Sequence, residues 1–523
     1  MMQLRTNWIA SAVAILLFAM SPAAVAQDKD TVVIGLFEDI TSLNPLRGST
    51  TQDQLTLRES VFDIHLETDR KTFDVVPHVF TEWTANADST EWTVKIRDDI
   101  TFHNGDKLTA DDVKFSIEYI LKEPGAQLYN MWERVKEIEI KSPTELVIKS
   151  DLPTPMLMSL AELAIMPKKY FEEVGEEAFN EKPVGSGPYK FVEWRRGEQL
   201  ELEAFDEYWG GKPAIKRVIF RVLPDEASRS AAYRAGEVDI AQTISLEQYN
   251  AIQAMNDPEL GTSVVNQGRI YGIFDVHRKP FDDVRVRKAF NHAIDWDTII
   301  AQLMDGLATR SAVILNANEW GHNPDLKPYA YDPELAKKLL AEAGYPDGVD
   351  MELWARQGYL AIDTVAQAVK PYLDAAGFRT TLTVMGRGDM QKIYEDAHDQ
   401  KVGGAPADLV PEVGLTGWQT NATGIGMEFY QGRSTCHIEN FNYPWGGFYC
   451  SKANDDLVVE ALSAWTNDLA KAEALTKQME KNTYDEAGYA FAYGLPQIYG
   501  KDKTLNWVMI PSMSLNMFHA SWQ

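Results

Sequence analysis

Cysteine is nearly absent from these 523 residues: there are two, Cys436 and Cys450. Neither belongs to a Cys-x-x-Cys pair, and the nine histidines are scattered without an H-E-x-x-H motif. Nothing therefore has the spacing of zinc ligands, and no metal or cofactor is expected. Positive charge is scarce as well. Lys and Arg number 50 against 77 Asp and Glu, a net charge of −27. That balance excludes a nucleic-acid binder built on clustered basic residues and disfavours adhesion to anionic lipid. Catalytic signatures are missing too. There is no Walker A loop, and Gly424, Gly426 and Gly432 do not match the dinucleotide fingerprint. Gly185-Ser186-Gly187-Pro188 resembles a nucleophile elbow only superficially, because Pro188 blocks the usual strand-to-helix turn. Acid pairs such as Asp111-Asp112 and Asp282-Asp283 stand at helix starts, where capping explains them. The chain does not read as an enzyme.

Long apolar runs are absent except at the start. Arg5 precedes the run Trp8 to Met20, followed by Pro22 and Ala24-Val25-Ala26. A basic start, a short apolar middle and an A-x-A exit describe a secretory signal peptide over residues 1–26, cleaved after Ala26. The run is shorter than the roughly 20 apolar residues that a membrane span needs. Gln27 follows the cut rather than a cysteine, so no lipid attachment point is present, and a periplasmic location is expected. Losing Arg5 changes −27 to −28 for the mature chain. In an oxidising compartment Cys436 and Cys450 are expected to pair, two buried thiols being the alternative. A mature chain of nearly 500 residues exceeds the roughly 250–300 at which single cores stop growing, so several domains are expected.

Strand and helix patterns alternate along the mature chain without a repeat or low-complexity linker. Trp92, Val94 and Ile96 have the period of a half-buried strand. Thr109 with Asp111-Asp112 caps a helix carrying Val113, Ile117, Ile120 and Leu121. Tyr189–Trp194 and Gln199–Phe205 flank a turn, as in a hairpin. Asp282-Asp283 caps another helix, Asp332-Pro333 a third that ends at Gly344, and Asp363–Ala376 reads as a fourth. Strands are expected at Met351–Ala355 and Arg379–Met385. This alternation implies open α/β sheets, which bind ligands in crevices near strand ends.

Several stretches carry a resemblance. Gly185-Ser186-Gly187-Pro188-Tyr189-Lys190, Phe205-Asp206-Glu207-Tyr208-Trp209-Gly210-Gly211-Lys212-Pro213 and Arg234-Ala235-Gly236-Glu237-Val238-Asp239-Ile240 stand in order. Leu43-Asn44-Pro45, Phe102-His103-Asn104-Gly105-Asp106, Pro280-Phe281-Asp282-Asp283-Val284-Arg285 and Leu339-Leu340-Ala341-Glu342-Ala343-Gly344 match as well. Together they resemble extracellular solute-binding family 5, the dipeptide-, oligopeptide- and nickel-binding proteins of ABC importers. The resemblance implies an α/β fold of the type II periplasmic-binding-protein kind (cluster C), two-lobed with an extra domain inserted in the first lobe. The first lobe would comprise 27–58, 186–266 and 496–523, the insert 59–185, and the second lobe 267–495. It also implies a monomer that captures a small solute between closing lobes and delivers it to an ABC permease in the inner membrane. Tyr208 and Trp209 are read as packing rather than ligand stacking.

Ligand choice is expected in the second lobe. In dipeptide receptors of this family, an Asp in a segment beginning Gly-Trp grips the peptide's amino group. The corresponding segment here is Gly417-Trp418-Gln419-Thr420-Asn421-Ala422-Thr423-Gly424. The Asp is missing, and Gln419 or Asn421 cannot neutralise an ammonium ion. Arg356 falls where those receptors place an Arg on the ligand carboxylate, a geometry that suits guanidinium. A surface arginine in a loop is the alternative. Trp418, Trp445 and Tyr449 could stack on a ring of the ligand or serve packing and disulfide shielding. These residues imply a peptide or peptide-like solute with an anionic group; an opine, oligosaccharide or sugar-phosphate conjugate is the alternative.

Overall fold

The computed structural model describes residues 30–523 except 48–52, 64–65, 69–74, 123–127, 152–153, 155, 318, 358–360, 387–388, 391–392, 394–412, 420–429, 431–435, 437–447 and 510–514. Alternating apolar residues become strands with one buried face. Val32, Ile34 and Leu36 are buried along β1 (Thr31–Leu36). Four strands, β2 (Phe80–Ala85), β3 (Glu91–Ile96), β4 (Val135–Ser142) and β5 (Glu145–Ser150), form an antiparallel sheet in the order β2-β3-β5-β4. Trp92, Val94 and Ile96 supply the buried face of β3. A hairpin joins β6 (Tyr189–Arg195) to β7 (Gln199–Ala204). The largest sheet adds β8 (Arg217–Val222), β9 (Ile240–Ala241), β10 (Leu260–Phe274), β11 (Thr309–Arg310), β12 (Val349–Arg356), β13 (Phe378–Met385), β14 (Val413–Gln419) and β15 (Tyr489–Asp502).

Helices start and stop at local signals. Asp112 accepts the Thr109 backbone N–H at 2.9 Å at the start of α1 (Ala110–Leu121). Asp225 caps α2 (Glu226–Arg234), and Gly236 follows at φ +70°. Asp283 caps α3 (Val284–Ala293). Asp332 accepts from Leu335 N at 2.8 Å to open α4 (Pro333–Glu342), which Gly344 closes at φ +98°. Then come α5 (Ile362–Ala375), α6 (Lys452–Asn467) and α7 (Leu469–Asp485). No helix among the described residues is long and apolar enough to cross a membrane.

The sequence implies open α/β sheets; the structure has one mixed sheet of eleven strands running through both halves of the chain. Its order is β13-β12-β14-β10-β15-β9-β1-β8-β7-β6, with β11 against β15. The joint is made by the two longest strands, β10 and β15, which pair antiparallel from Leu260–Asp502 to Ile273–Tyr489. On one face of β10 and β12, Ile270, Phe274, Leu353 and Ala355 meet Val286 and Phe290 of α3 and Val365 and Val369 of α5. The other face carries Tyr271, Ile273 and Trp354 with Tyr489 and Phe491. Strands covered on both faces make this half a core layer, each large side chain contributing about 1.5–3 kcal/mol by burial.

The Gly-Ser-Gly-Pro stretch is a point of close backbone approach. A Cβ on Gly185 would lie 1.9 Å from the Val61 carbonyl oxygen, and one on Gly187 2.5 Å from that of Ser60. His103 bridges both glycines: Gly185 N donates to Nδ1 at 3.3 Å, and Nε2 donates to the Gly187 carbonyl at 2.9 Å. Those roles need a neutral ring, and burial pulls the His103 pKa down to about 4. Tyr208 and Trp209 are tied into the same region. Their hydroxyl and indole N–H donate to buried Asp63 at 2.8 and 2.9 Å.

The direction of the acid effect follows. Unfolded His103 takes a proton below its usual pKa near 6.5, whereas the folded ring resists until about 4. Its contribution is thus fully present above about pH 6.5 and is lost as pH falls towards 4, up to about 3 kcal/mol at roughly 1.4 kcal/mol per unit. His103→Gln keeps one acceptor and one donor without titrating. Urea midpoints measured between pH 7 and 4 should fall less steeply for this variant; equal slopes would rule out His103 as a source of acid lability.

Candidate functional site

Strand direction alone defines where a ligand can sit. β14 lies beside β12 in parallel, from Leu353–Val413 to Ala355–Leu415, and runs antiparallel to β10. β12, β13 and β14 therefore all end at the edge that faces the early part of β10. In the other half, β1 is parallel to β8 and β9, and β9 runs against the end of β15. Their C-terminal ends point back towards the early part of β15. The two sets of ends thus face each other across the middle of β10 and β15, around Asn266 and Pro496. Crevices outside the carboxyl ends of parallel strands are where open α/β sheets bind small molecules.

Arg356 is the last residue of β12, half-buried, at that edge. Gln357 N donates to Met385 O at 2.8 Å, which holds the strand end against β13. Trp418 and Gln419 are the last residues of β14, opposite Arg269 and Gly268 of β10. The backbone therefore brings Arg356, Trp418 and Gln419 to one edge, two neighbouring strands sharing it. Thr420, Asn421 and Trp445 lie outside the described residues. Cys436 and Cys450 are joined in a disulfide with Cα atoms 4.8 Å apart. Tyr449 beside it is core: it is 1% exposed, its ring lies 5.0 Å from that of Tyr489, and its hydroxyl donates to Glu486 at 2.9 Å. That leaves it no free face for a ligand ring.

Three buried ionisable side chains were not singled out from the sequence. Arg229 of α2 is 2% exposed and donates to the carbonyls of Leu223, Gln242 and Thr243 at 2.6, 2.6 and 2.7 Å. It thereby ties together the loops that follow β8 and β9. Burial pulls its pKa below the usual value, and the carboxylates of Glu226 and Asp225 work against that. Arg269 of β10 forms a buried ion pair with Glu319. Glu480 of α7 is fully buried and accepts the backbone N–H groups of Leu315 and Asn323 at 3.1 and 2.6 Å. Burial pushes its carboxyl up to about 8. The one available signal was Arg269 itself, a cation heading the otherwise apolar strand pattern Ile270-Tyr271-Gly272-Ile273-Phe274.

Comparison with known proteins agrees with this architecture. The dipeptide-binding protein of Escherichia coli strain K12 is 26% identical over 510 residues, covering 90% of this chain and 90% of its own. The glutathione-binding protein GsiB of the same strain is 27% identical, covering 97% and 96%. Among solved structures, HbpA2 from Haemophilus parasuis superposes with a TM-score of 0.82 at 21% identity, covering 94% of this chain and all of that one. This likeness shows the type II periplasmic-binding-protein fold. The profile described as bacterial extracellular solute-binding proteins, family 5 Middle, matches residues 74–426. With that match spanning most of its length, the chain belongs to the family 5 extracellular solute-binding proteins, the solute receptors of ABC importers.

Proposed function

We propose that the chain is exported, cut after Ala26, and works as a monomeric periplasmic receptor, not an enzyme, that hands a short, anionic, peptide-like solute to an ABC permease. The observation that carries this reading is the convergence of strand ends on the middle of β10 and β15, with Arg356 at one of the facing edges. Two lobes, 27–58 with 186–266 and 496–523 against 267–495, would hinge on those two strands, with 59–185 as an inserted domain. The β10–β15 register shifts between Asn266 and Gly268, opposite Pro496 and Leu495, and such an irregularity offers a place for the strands to bend. Solute between the lobes favours the closed state because only that state offers contacts from both sides. Dipeptide- and glutathione-binding relatives support a short peptide class. A guanidinium at the site, without the amine-binding Asp, supports a solute recognised by its carboxylate.

Mass spectrometry of ligand released from protein purified without refolding tests the solute class. Scattering and melting curves with that ligand test closure: at 100 times Kd the folded state should gain about 2.7 kcal/mol and the particle should compact. N-terminal sequencing of the exported form should begin at Gln27. A tightly bound solute with no anionic group, or one that leaves the radius of gyration unchanged, would overturn the reading.

A further inference from the structure

The smaller, four-stranded sheet ends at the edge strand β2, where Trp83 and Ala85 pair with Val94 and Trp92 of β3 and so share their face. Val94 and Trp92 are fully buried, whereas Trp83 and Ala85 are half-buried. The apolar face therefore runs out to the edge of the sheet, a place that folded chains keep covered. What lies against β2 is α6, from the far half of the chain. Leu457, Ala461 and Trp465 of α6 fall in the same apolar cluster as Trp83 and Ala85. Each side of this contact is held firmly. On one side, His78 and Arg97 flank β2 and β3 and reach the cluster of Asp63, Tyr208 and Trp209. His78 Nε2 lies 3.2 Å from both Asp63 Oδ1 and the Tyr208 hydroxyl, and the Arg97 guanidinium sits 4.0 Å over the Trp209 ring. On the other side, Trp465 meets Trp320 edge-on, with ring centroids 4.1 Å apart. The loop bearing Trp320 is fastened to α7 through the backbone N–H groups of Leu315 and Asn323 that Glu480 accepts. Tyr208 and Trp209 belong to the first lobe and α6 to the second, so the stretch 59–185 bridges the lobes by a route separate from β10 and β15. Bodies that rotate about a hinge keep only their hinge contacts, and a second bridge has to part or slide.

We propose that the β2–α6 contact is a latch on the closed state, parting when the lobes open and re-forming as they close. This rests on the reading of the chain as a two-lobed receptor hinged on β10 and β15. Apolar contact suits a latch, because it is non-directional and re-forms without a partner atom to be matched. A contact made only in the closed state raises the closed fraction before solute arrives, and apparent affinity follows that fraction. Both native cysteines are held in the disulfide. Spin labels can therefore be placed through Thr84→Cys and Val459→Cys, at exposed positions of β2 and α6. Without solute, double electron–electron resonance should show a short and a long separation in the otherwise wild-type protein. Trp83→Thr keeps a strand former at the edge. It should shift the ratio of short to long by about tenfold towards long, and raise the Kd for glutathione by about the same factor. Glu82→Thr, on the solvent face of β2, should change neither. Should Trp83→Thr fail to fold, Ala85→Glu sets a charge in the contact, with the same expected result. A single separation, equal in the wild type and either folded variant, overturns the proposal, since the insert and the second lobe would then move as one body. A shifted ratio in a protein whose wild type binds no glutathione upholds the latch and counts against the solute class.

Discussion

Gly185→Ala is expected to cost at least about 4 kcal/mol, seen as loss of soluble protein or a strongly lowered melting midpoint. The added Cβ would lie 1.9 Å from the Val61 oxygen, 2.6 Å from the Val61 carbonyl carbon and 3.0 Å from the Phe62 Cα. All three are backbone atoms, so no side-chain rotation relieves the clash. Val61 and Phe62 are themselves fully buried, and Gly187 N donates to the Val61 carbonyl at 2.9 Å. The facing chain therefore cannot retreat without giving up packing and a hydrogen bond together. Gly197→Ala is the matched control. Gly197 has φ +71° in the β6–β7 turn, and a Cβ there would meet nothing within 4 Å, so its cost is backbone strain of about 1–2 kcal/mol. A Gly185→Ala protein melting as high as the Gly197→Ala one would show that the close approach relaxes freely.

That contrast bears on how much of the molecule the sequence discloses. Features set by a few neighbouring residues are legible in it. Asp332-Pro333 and Gly344 bound a helix, Thr109 and Asp112 open one, and Trp92, Val94 and Ile96 line one face of a strand. Contacts that join distant residues are not. Tyr208 and Trp209 read as packing rings, and their shared partner Asp63 lies 145 positions from the first and 146 from the second. The union of both halves in one sheet depends on Leu260–Phe274 pairing with Tyr489–Asp502, which no local period encodes. For the candidate site, the resemblance pointed to Arg356 and the end of β14, because those positions sit inside recognisable motifs. It missed Arg229, Arg269 and Glu480, whose partners are backbone groups or acids from other elements. A charged residue that is satisfied by distant carbonyls looks, in sequence, like any solvated one.

Arg356→Ala is expected to weaken solute binding by about 2–4 kcal/mol, which is roughly 30-fold to 1000-fold in Kd. Arg356 is half-buried at the edge where β12 and β14 both end. Closure of the opposite strand ends over it would remove water, and a charge-assisted contact gains strength as the local dielectric falls. Truncation then leaves the ligand's carboxylate desolvated without its partner, so the loss exceeds that of a rim contact. Arg356→Lys keeps the charge but loses the planar fork, and should recover part of the affinity. Melting without solute should hardly change, since the packed residues of β12 are Leu353, Trp354 and Ala355. The segment from Gly417 carries no Asp, so N-acetylation of a peptide ligand should be tolerated to within about tenfold. Calorimetry on the wild type and both variants, with a free and an N-acetylated form of the same peptide, separates the two charges. Tight binding that N-acetylation abolishes and Arg356→Ala leaves untouched would mean that the amine is read elsewhere in the cleft and the carboxylate is not read by Arg356.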